Sequence, residues 1–250
     1  MTVLQWNIRS LTANTAELSL LLGQLGPSVV CLQETKLAEN TKYSPPKNYK
    51  AYNKIHTDNL IASGGSTILV KNCTLQRAIP LHTQLQAIAV RVTLHRAITI
   101  CSVYVPPDRH LSLRELDDLR DQLPKPFIIM GDLNGHSSLW DRHWTETPDQ
   151  RGKVVEDFLA QTNTALLNTG SPTYRNAHTL KTSAIDLTMC SPDLAASFRW
   201  SALDDTYGSD HMPTILTPDT PAAATQPQFF KSQLASLRKR MQPAQSGHHN

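Results

Sequence analysis

Two apolar rhythms alternate along the chain. Residues 2–7 form a short apolar run of strand length. Leu18, Leu21, Leu22 and Leu25 then recur at helical spacing, and Gly26-Pro27 ends that helix. Val29–Gln33 is the next buried strand, and Ser63-Gly64-Gly65 is a turn before another at 67–70. Ile88, Val90, Val92 and Leu94 alternate strictly, as on a half-buried strand, and residues 97–105 follow until Pro106-Pro107 stops them. A helix is predicted over 113–123 and a fully apolar strand over 127–130, ending at Gly131. Val154, Val155, Phe158 and Leu159 make another helical stripe, and strands are predicted at 165–167, 185–189 and 213–216. Many strands with few, separated helices point to an α/β or α+β layered sandwich.

From about Pro218 the composition shifts to Pro, Ala, Thr and Gln, with a short basic amphipathic segment at 229–241. This divides the chain into a domain at 1–217 and a linker with a basic tail at 218–250. The net charge of +3 belongs to that tail. Lys231, Arg238, Lys239 and Arg240 lie in the last 31 residues, which hold no acid, so residues 1–219 carry 20 basic against 21 acidic side chains. A near-neutral body with clustered acids suits a protein that recruits cations to a polar site.

Cys31, Cys101 and Cys190 sit in apolar runs and read as reduced, buried residues, which points to an intracellular protein. No secretion signal is visible, and no apolar stretch approaches ~20 residues, so no membrane contact is expected.

The chemically interesting residues stand at strand ends. They are Asn7, Glu34, Tyr104, Asp132 with Asn134, Asp186, and Asp210 with His211. A single strand-end carboxylate is most often a turn or cap residue. Six such sites, each punctuating a core strand, are harder to explain by turns alone. Glu34 is a hard oxygen donor suited to Mg²⁺, with Mn²⁺ as the alternative. Phosphodiester hydrolysis needs a held and activated water and neutralised phosphoryl oxygens. Asp132 suits orienting the water, Asn134 holding it and His211 donating to the phosphate, with Asp186 keeping the histidine oriented and charged.

Gln5-Trp6-Asn7, Leu32-Gln33-Glu34-Thr35-Lys36, Ser102-Val103-Tyr104, Gly131-Asp132-Leu133-Asn134, Ala184-Ile185-Asp186 and Gly208-Ser209-Asp210-His211 occur in that order. In this the chain resembles the endonuclease/exonuclease/phosphatase superfamily, in the branch with apurinic endonucleases, over residues 2 to about 217. The resemblance implies a four-layer α/β sandwich: two packed, mostly antiparallel sheets with helices outside. It also implies roles. Glu34 ligates the metal with Asn7 nearby, Asp132 activates the water and Asn134 positions it. Tyr104 contacts the phosphate, Asp186 pairs with His211, and Asp210 assists the metal or His211.

A second stretch narrows the branch. Asn134 to Trp140, Arg151-Gly152, Leu166-Leu167-Asn168 and Ser171-Pro172-Thr173-Tyr174 resemble the pattern of jockey- and R1-like non-LTR retrotransposon endonucleases. This implies nicking of double-stranded target DNA in the nucleus, leaving a 3′-hydroxyl that primes reverse transcription. It also implies a downstream reverse transcriptase in the same polyprotein and the element's RNA as partners. The alternative is a repair endonuclease for abasic sites. Phosphoinositide phosphatase and sphingomyelinase relatives share the metal chemistry, and a non-catalytic nucleic-acid-binding module is the rival of another class. One departure stands out: the apurinic branch carries an acid two places after the first-strand asparagine, and this chain has Arg9, a cation available to DNA phosphate. Further DNA contacts are expected from His136 and from a hairpin carrying Arg175, His178 and Lys181. The four tryptophans read as core or rim packing.

Overall fold

The computed structural model describes residues 2–41, 43–58 and 61–219. The basic segment at 229–241 lies outside the described residues. Strand β1 (Val3–Asn7) passes through helix α1 (Thr15–Leu25) into β2 (Val29–Gln33). Next come β3 (Tyr49–Lys54), a small hairpin of β4 (Thr57–Asp58) and β5 (Ile61–Ala62), then β6 (Ser66–Lys71), β7 (Leu75–Ile79), β8 (Gln86–Thr93) and β9 (Ala97–Tyr104). Helix α2 (Leu113–Asp121), β10 (Phe127–Asp132), α3 (Gln150–Thr162) and β11 (Ala165–Leu166) follow. A second hairpin, β12 (Tyr174–Arg175) with β13 (Thr182–Ser183), precedes β14 (Asp186–Cys190), β15 (Phe198–Ala202) and β16 (Thr214–Pro218).

Two six-stranded sheets result, ordered β15-β16-β1-β2-β6-β3 and β11-β14-β10-β9-β8-β7. Each is antiparallel except for one parallel pair, β1 with β2 and β9 with β10. Three apolar clusters separate four layers. Leu4, Trp6, Val30 and Leu32 pack on Leu18 and Leu21 of α1. Val3, Val29, Ile128 and Met130 pack between the sheets. Ile129, Leu187 and Met189 pack on Leu116 and Leu119 of α2 and on Val155 and Phe158 of α3. This is the four-layer sandwich that the motifs implied.

Because side chains alternate along a strand, each central strand has one face toward a helix layer and one toward the opposite sheet. The inter-sheet face changes character along its length. On β1 it runs Val3, Gln5, Asn7, and on β10 it runs Ile128, Met130, Asp132, all buried. On β9 it runs Ile98, Ile100, Ser102, Tyr104, and on β14, read backwards, Cys190, Thr188, Asp186. One end of the inter-sheet core is oily and the other is polar, and the polar end is where the site lies.

Several expectations need correction. The strand at 88–94 is not half-buried: its other face, Ala87 and Ala89, packs into the helix-side core, because the strand lies between two layers. The helix expected at 113–123 stops at Asp121, and the strand at 185–189 is displaced by one residue to Asp186–Cys190. Strand β16 runs to Pro218, and the Asp219 N–H donates to the Ser197 carbonyl at 2.9 Å. Strands β3, β7 and β15 had no strong periodic signal, since each carries exposed polar residues.

Candidate active site

Strand direction brings the motif residues to one rim. The parallel pair β1 and β2 ends together at Asn7 and Gln33, and β9 and β10 end together at Tyr104 and Asp132. Antiparallel β14 begins at the same level, with Asp186 opposite Asp132. His211 precedes β16 and is held there by its carbonyl, which accepts from the Trp6 indole at 3.0 Å. Gly131 is required just before Asp132, since a Cβ there would meet the Val103 carbonyl oxygen at 1.8 Å.

The polar side chains form one hydrogen-bonded set. Asn7 Nδ2 donates to Glu34 at 3.1 Å and to Asp132 at 2.9 Å, and the Tyr104 hydroxyl donates to Glu34 at 3.0 Å. Asn134 donates to Asp132 twice, from its backbone N–H at 2.9 Å and its amide at 3.2 Å. His211 Nδ1 lies 2.7 Å from Asp186, while its Nε2 faces Asp132 at 3.8 Å and Asp210 at 4.0 Å. Lys36 sits 3.2 Å from Glu34, and Arg9 sits 3.1 Å from Asp210. The structure thus gathers Asn7, Arg9, Glu34, Tyr104, Asp132, Asn134, Asp186, Asp210 and His211 in one place.

Burial tunes these groups in opposite directions. Loss of water drives the Asp132 carboxyl well above its ordinary range, reinforced by nearby Asp186 and opposed by His211 and Asn7. Burial works against the His211 cation, but Asp186 outweighs it and raises the imidazole to about 9. Glu34 also feels burial, yet Asn7, Lys36 and Tyr104 hold it below its ordinary value. Burial and the charge of Glu34 push the Tyr104 hydroxyl up, so it stays a donor. Near neutrality the rim therefore presents a charged imidazolium beside a carboxyl close to its point of ionisation.

Three of these residues have left-handed backbones: Arg9 at φ 58°, Glu34 at 48° and Asn134 at 49°. Asparagine adopts this region readily, whereas arginine and glutamate do so at a cost of about 1–2 kcal/mol each. Packing and the bonds above hold them there.

The donor set fits a hard divalent cation. Glu34 and Asp132 offer carboxylate oxygens joined through the Asn7 amide nitrogen, and Asp132 is 1% exposed. Asp132, Asp186 and His211 also place ligand-type atoms within 4.8 Å of one another.

The sequence reading missed the polar layer beneath. Gln5 Nε2 donates to Gln33 at 2.9 Å and to Asp186 at 2.8 Å, and Gln33 Nε2 donates to Ser102 at 2.8 Å. Thr214 donates to Gln5 at 2.7 Å. All of these residues are buried. Arg151, Gly152, Asn168 and Thr173 of the second stretch are scaffold. The Arg151 guanidinium donates to carbonyls of Leu133, Asn134, Pro106, Pro107 and Arg109, tying the loops after β9 and β10 together. Gly152 lets the His136 carbonyl approach, where a Cβ would meet it at 2.0 Å. Asn168 and Thr173 cap backbone groups of β14.

The expected hairpin is present as β12–β13, with Arg175, His178 and Lys181 exposed. Tyr174 stacks obliquely on His211 with ring centres 5.0 Å apart, which attaches the hairpin to the rim. His136 is half-buried and stacked on Trp144 with ring centres 4.5 Å apart. Trp6, Trp140 and Trp200 are core residues, and Cys31, Cys101 and Cys190 are free thiols in the core.

This fold is a DNase I-like layered sandwich, and the residue types on its rim suit phosphodiester cleavage. Residues 98–215 match the family model described as endonuclease-reverse transcriptase. The chain is 26% identical over 219 residues to the RNA-directed DNA polymerase from mobile element jockey of Drosophila melanogaster, covering 84% of this chain and 23% of that one. The Drosophila funebris counterpart is 27% identical over 184 residues, 72% of this chain and 20% of its own. The chain therefore spans about a quarter of the length of these relatives. Among solved structures, the endonuclease domain of TRAS1, a telomere-specific non-LTR retrotransposon, aligns with a TM-score of 0.72 at 23% identity, over 87% of this chain and 97% of that one. The AP endonuclease LMAP of Leishmania major gives 0.69 at 16% identity, over 88% of each chain. These likenesses support reading the chain as similar to the apurinic-endonuclease-like endonuclease domains of non-LTR retrotransposons.

Proposed function

We propose that this domain nicks double-stranded target DNA in a Mg²⁺-dependent reaction, with Mn²⁺ as a substitute, leaving a 3′-hydroxyl. In this reading the hydroxyl primes reverse transcription in the nucleus, by a polymerase in the same polyprotein acting on the element's RNA. The carrying observation is the Asp132, His211 and Asp186 cluster facing Glu34 and Asn7 across one rim.

Each residue then has a task. Asp132, buried and close to ionisation at neutral pH, accepts the proton of the attacking water. Asn134 holds that water beside it. The new bond forms between the water oxygen and phosphorus, and the P–O3′ bond breaks, its oxygen taking a proton from solvent water to leave as the 3′-hydroxyl. His211, kept charged by Asp186, donates from Nε2 to a phosphoryl oxygen. Tyr104 donates on the Glu34 side. Asp210 steadies His211 and is balanced by Arg9, whose exposed guanidinium also meets DNA phosphate. Glu34 with Asn7 would hold the divalent ion, which supplies charge neutralisation at the phosphate. Arg175, His178 and Lys181 grip the duplex through the hairpin, and His136 borders the same track.

Supercoiled plasmid and an abasic duplex, each with Mg²⁺ or a chelator, test this. Metal-dependent conversion of plasmid to nicked circles with extendable 3′ ends is expected. Cleavage confined to the abasic duplex would replace target nicking with the repair reading.

A further inference from the structure

His211 and Asp186 come from different sheets. His211 stands just before Thr214, where β16 begins in the first sheet, and Asp186 opens β14 in the second. Their 2.7 Å contact is therefore only as exact as the register of one sheet on the other. Apolar packing between the sheets is non-directional and does not set that register by itself. Hydrogen bonds do, and one side chain makes three of them at this point.

That side chain is Gln5, on β1, directly opposite Thr214 on β16. Both residues are fully buried. The Thr214 hydroxyl donates to Gln5 Oε1 at 2.7 Å, which leaves Nε2 to face the second sheet. Nε2 donates to Asp186 Oδ1 at 2.8 Å and to Gln33 Oε1 at 2.9 Å. Gln33 spends its own amide nitrogen on Ser102 Oγ at 2.8 Å, so its carbonyl is the end that meets Gln5. Both neighbours thus demand the same orientation of the Gln5 amide, and both of its N–H groups are used. Asp186 meets His211 through its other oxygen, Oδ2, and its side chain is 0% exposed. Without Gln5, Oδ1 would be a charged oxygen left unpaired where water does not reach, and Asp186 would gain by turning away from His211.

We propose that Gln5 is a positioning residue for the reaction: it fixes which Asp186 oxygen serves His211, and so where His211 Nε2 points. The inference rests on the phosphodiester cleavage proposed above and adds to it a residue buried beneath the reacting groups.

Nicking kinetics and one magnetic resonance signal test this on the full chain. Gln5→Met keeps the reach of the side chain but has no donor. It is expected to lower kcat ~10–100-fold, the scale of loss that a misplacement of ~1 Å produces, with KM for plasmid little changed. In an Asp186→Ala background Gln5 has no carboxylate to orient, so Gln5→Met should cost no further rate. Thr214→Val frees the Gln5 amide to turn and is expected to give a smaller loss of the same kind. It carries the kinetic test if Gln5→Met does not fold by circular dichroism. The His211 Nδ1–H signal, identified by its absence from His211→Gln, should shift or broaden in both variants. Wild-type kcat in the folded variants would overturn the proposal. So would an equal loss with and without Asp186, or an unmoved Nδ1–H signal. A wild-type chain that nicks no DNA would instead overturn the functional reading beneath it, and the Nδ1–H signal would still decide the role of Gln5.

Discussion

His211 and the β12–β13 hairpin are neighbours, since Tyr174 bridges to His211 through the backbone, yet they are built on opposite terms. His211 is 4% exposed, its ring and backbone both bonded within the rim. Arg175, His178 and Lys181 are exposed, and the turn between them is held by local bonds such as those from His178 and Thr179 N–H to Asn176. Electrostatics inside the rim is strong because water is excluded, and each charge there has a partner. On the hairpin, water and salt weaken each charge, so affinity has to come from several contacts added together. In the proposed function, chemistry and recognition would thus occupy adjoining places with very different sensitivity to change.

The sharpest way to break this contrast is at the rim. Asp132→Ala or His211→Ala is expected to lower plasmid nicking by ~10²–10³ or more, with DNA affinity little changed. Nicking rates and a parallel binding assay would show it, and activity surviving both substitutions would end the proposed roles.

A second, intermediate effect concerns stability. Folding raises the His211 pKa from 6.5 to about 9, so its contribution is complete below about pH 6.5 and is lost as the pH rises through 9. A shift of that size corresponds to about 3 kcal/mol. Asp132, whose value is also raised on folding, adds a loss of the same sign at lower pH. Metal-free protein should therefore melt at progressively lower temperature between pH 6.5 and 9.5. His211→Gln should flatten that slope, and equal slopes in the two proteins would refute the assignment.

The smallest effects belong to the hairpin. Arg175→Ala or Lys181→Ala should weaken DNA binding a few-fold while leaving kcat near that of the intact chain. Each lost phosphate contact should also reduce the salt slope of log K by about 0.9. A fall in kcat without any change in salt slope would move these residues from recognition into the chemistry.

The rim residues were legible in the sequence because each stands at the end of an apolar run. The run marks a core strand, and the polar residue after it marks where that strand leaves the core. Gln5, Gln33 and Ser102 were not legible for the complementary reason. A polar residue inside a strand normally marks the solvent face, and only the stacking of a second sheet turns that face inward. Arg151 was noticed as part of a pattern, but its task was not readable. Binding five carbonyls from two loops depends on the positions of distant segments that local sequence does not encode.

The sequence by itself determined the strand ends, the reactive residue types at them, and the basic character of residues 174–182. Those follow from local periodicity and from which side chains perform which chemistry. The tertiary structure alone decided who faces whom: Asp186 on His211, Arg9 on Asp210, Asn7 between Glu34 and Asp132. These pairs lie 25 or more residues apart in the chain and meet because strand direction and sheet stacking bring six strand ends to one rim. Burial then sets their charges, and burial belongs to the packed fold.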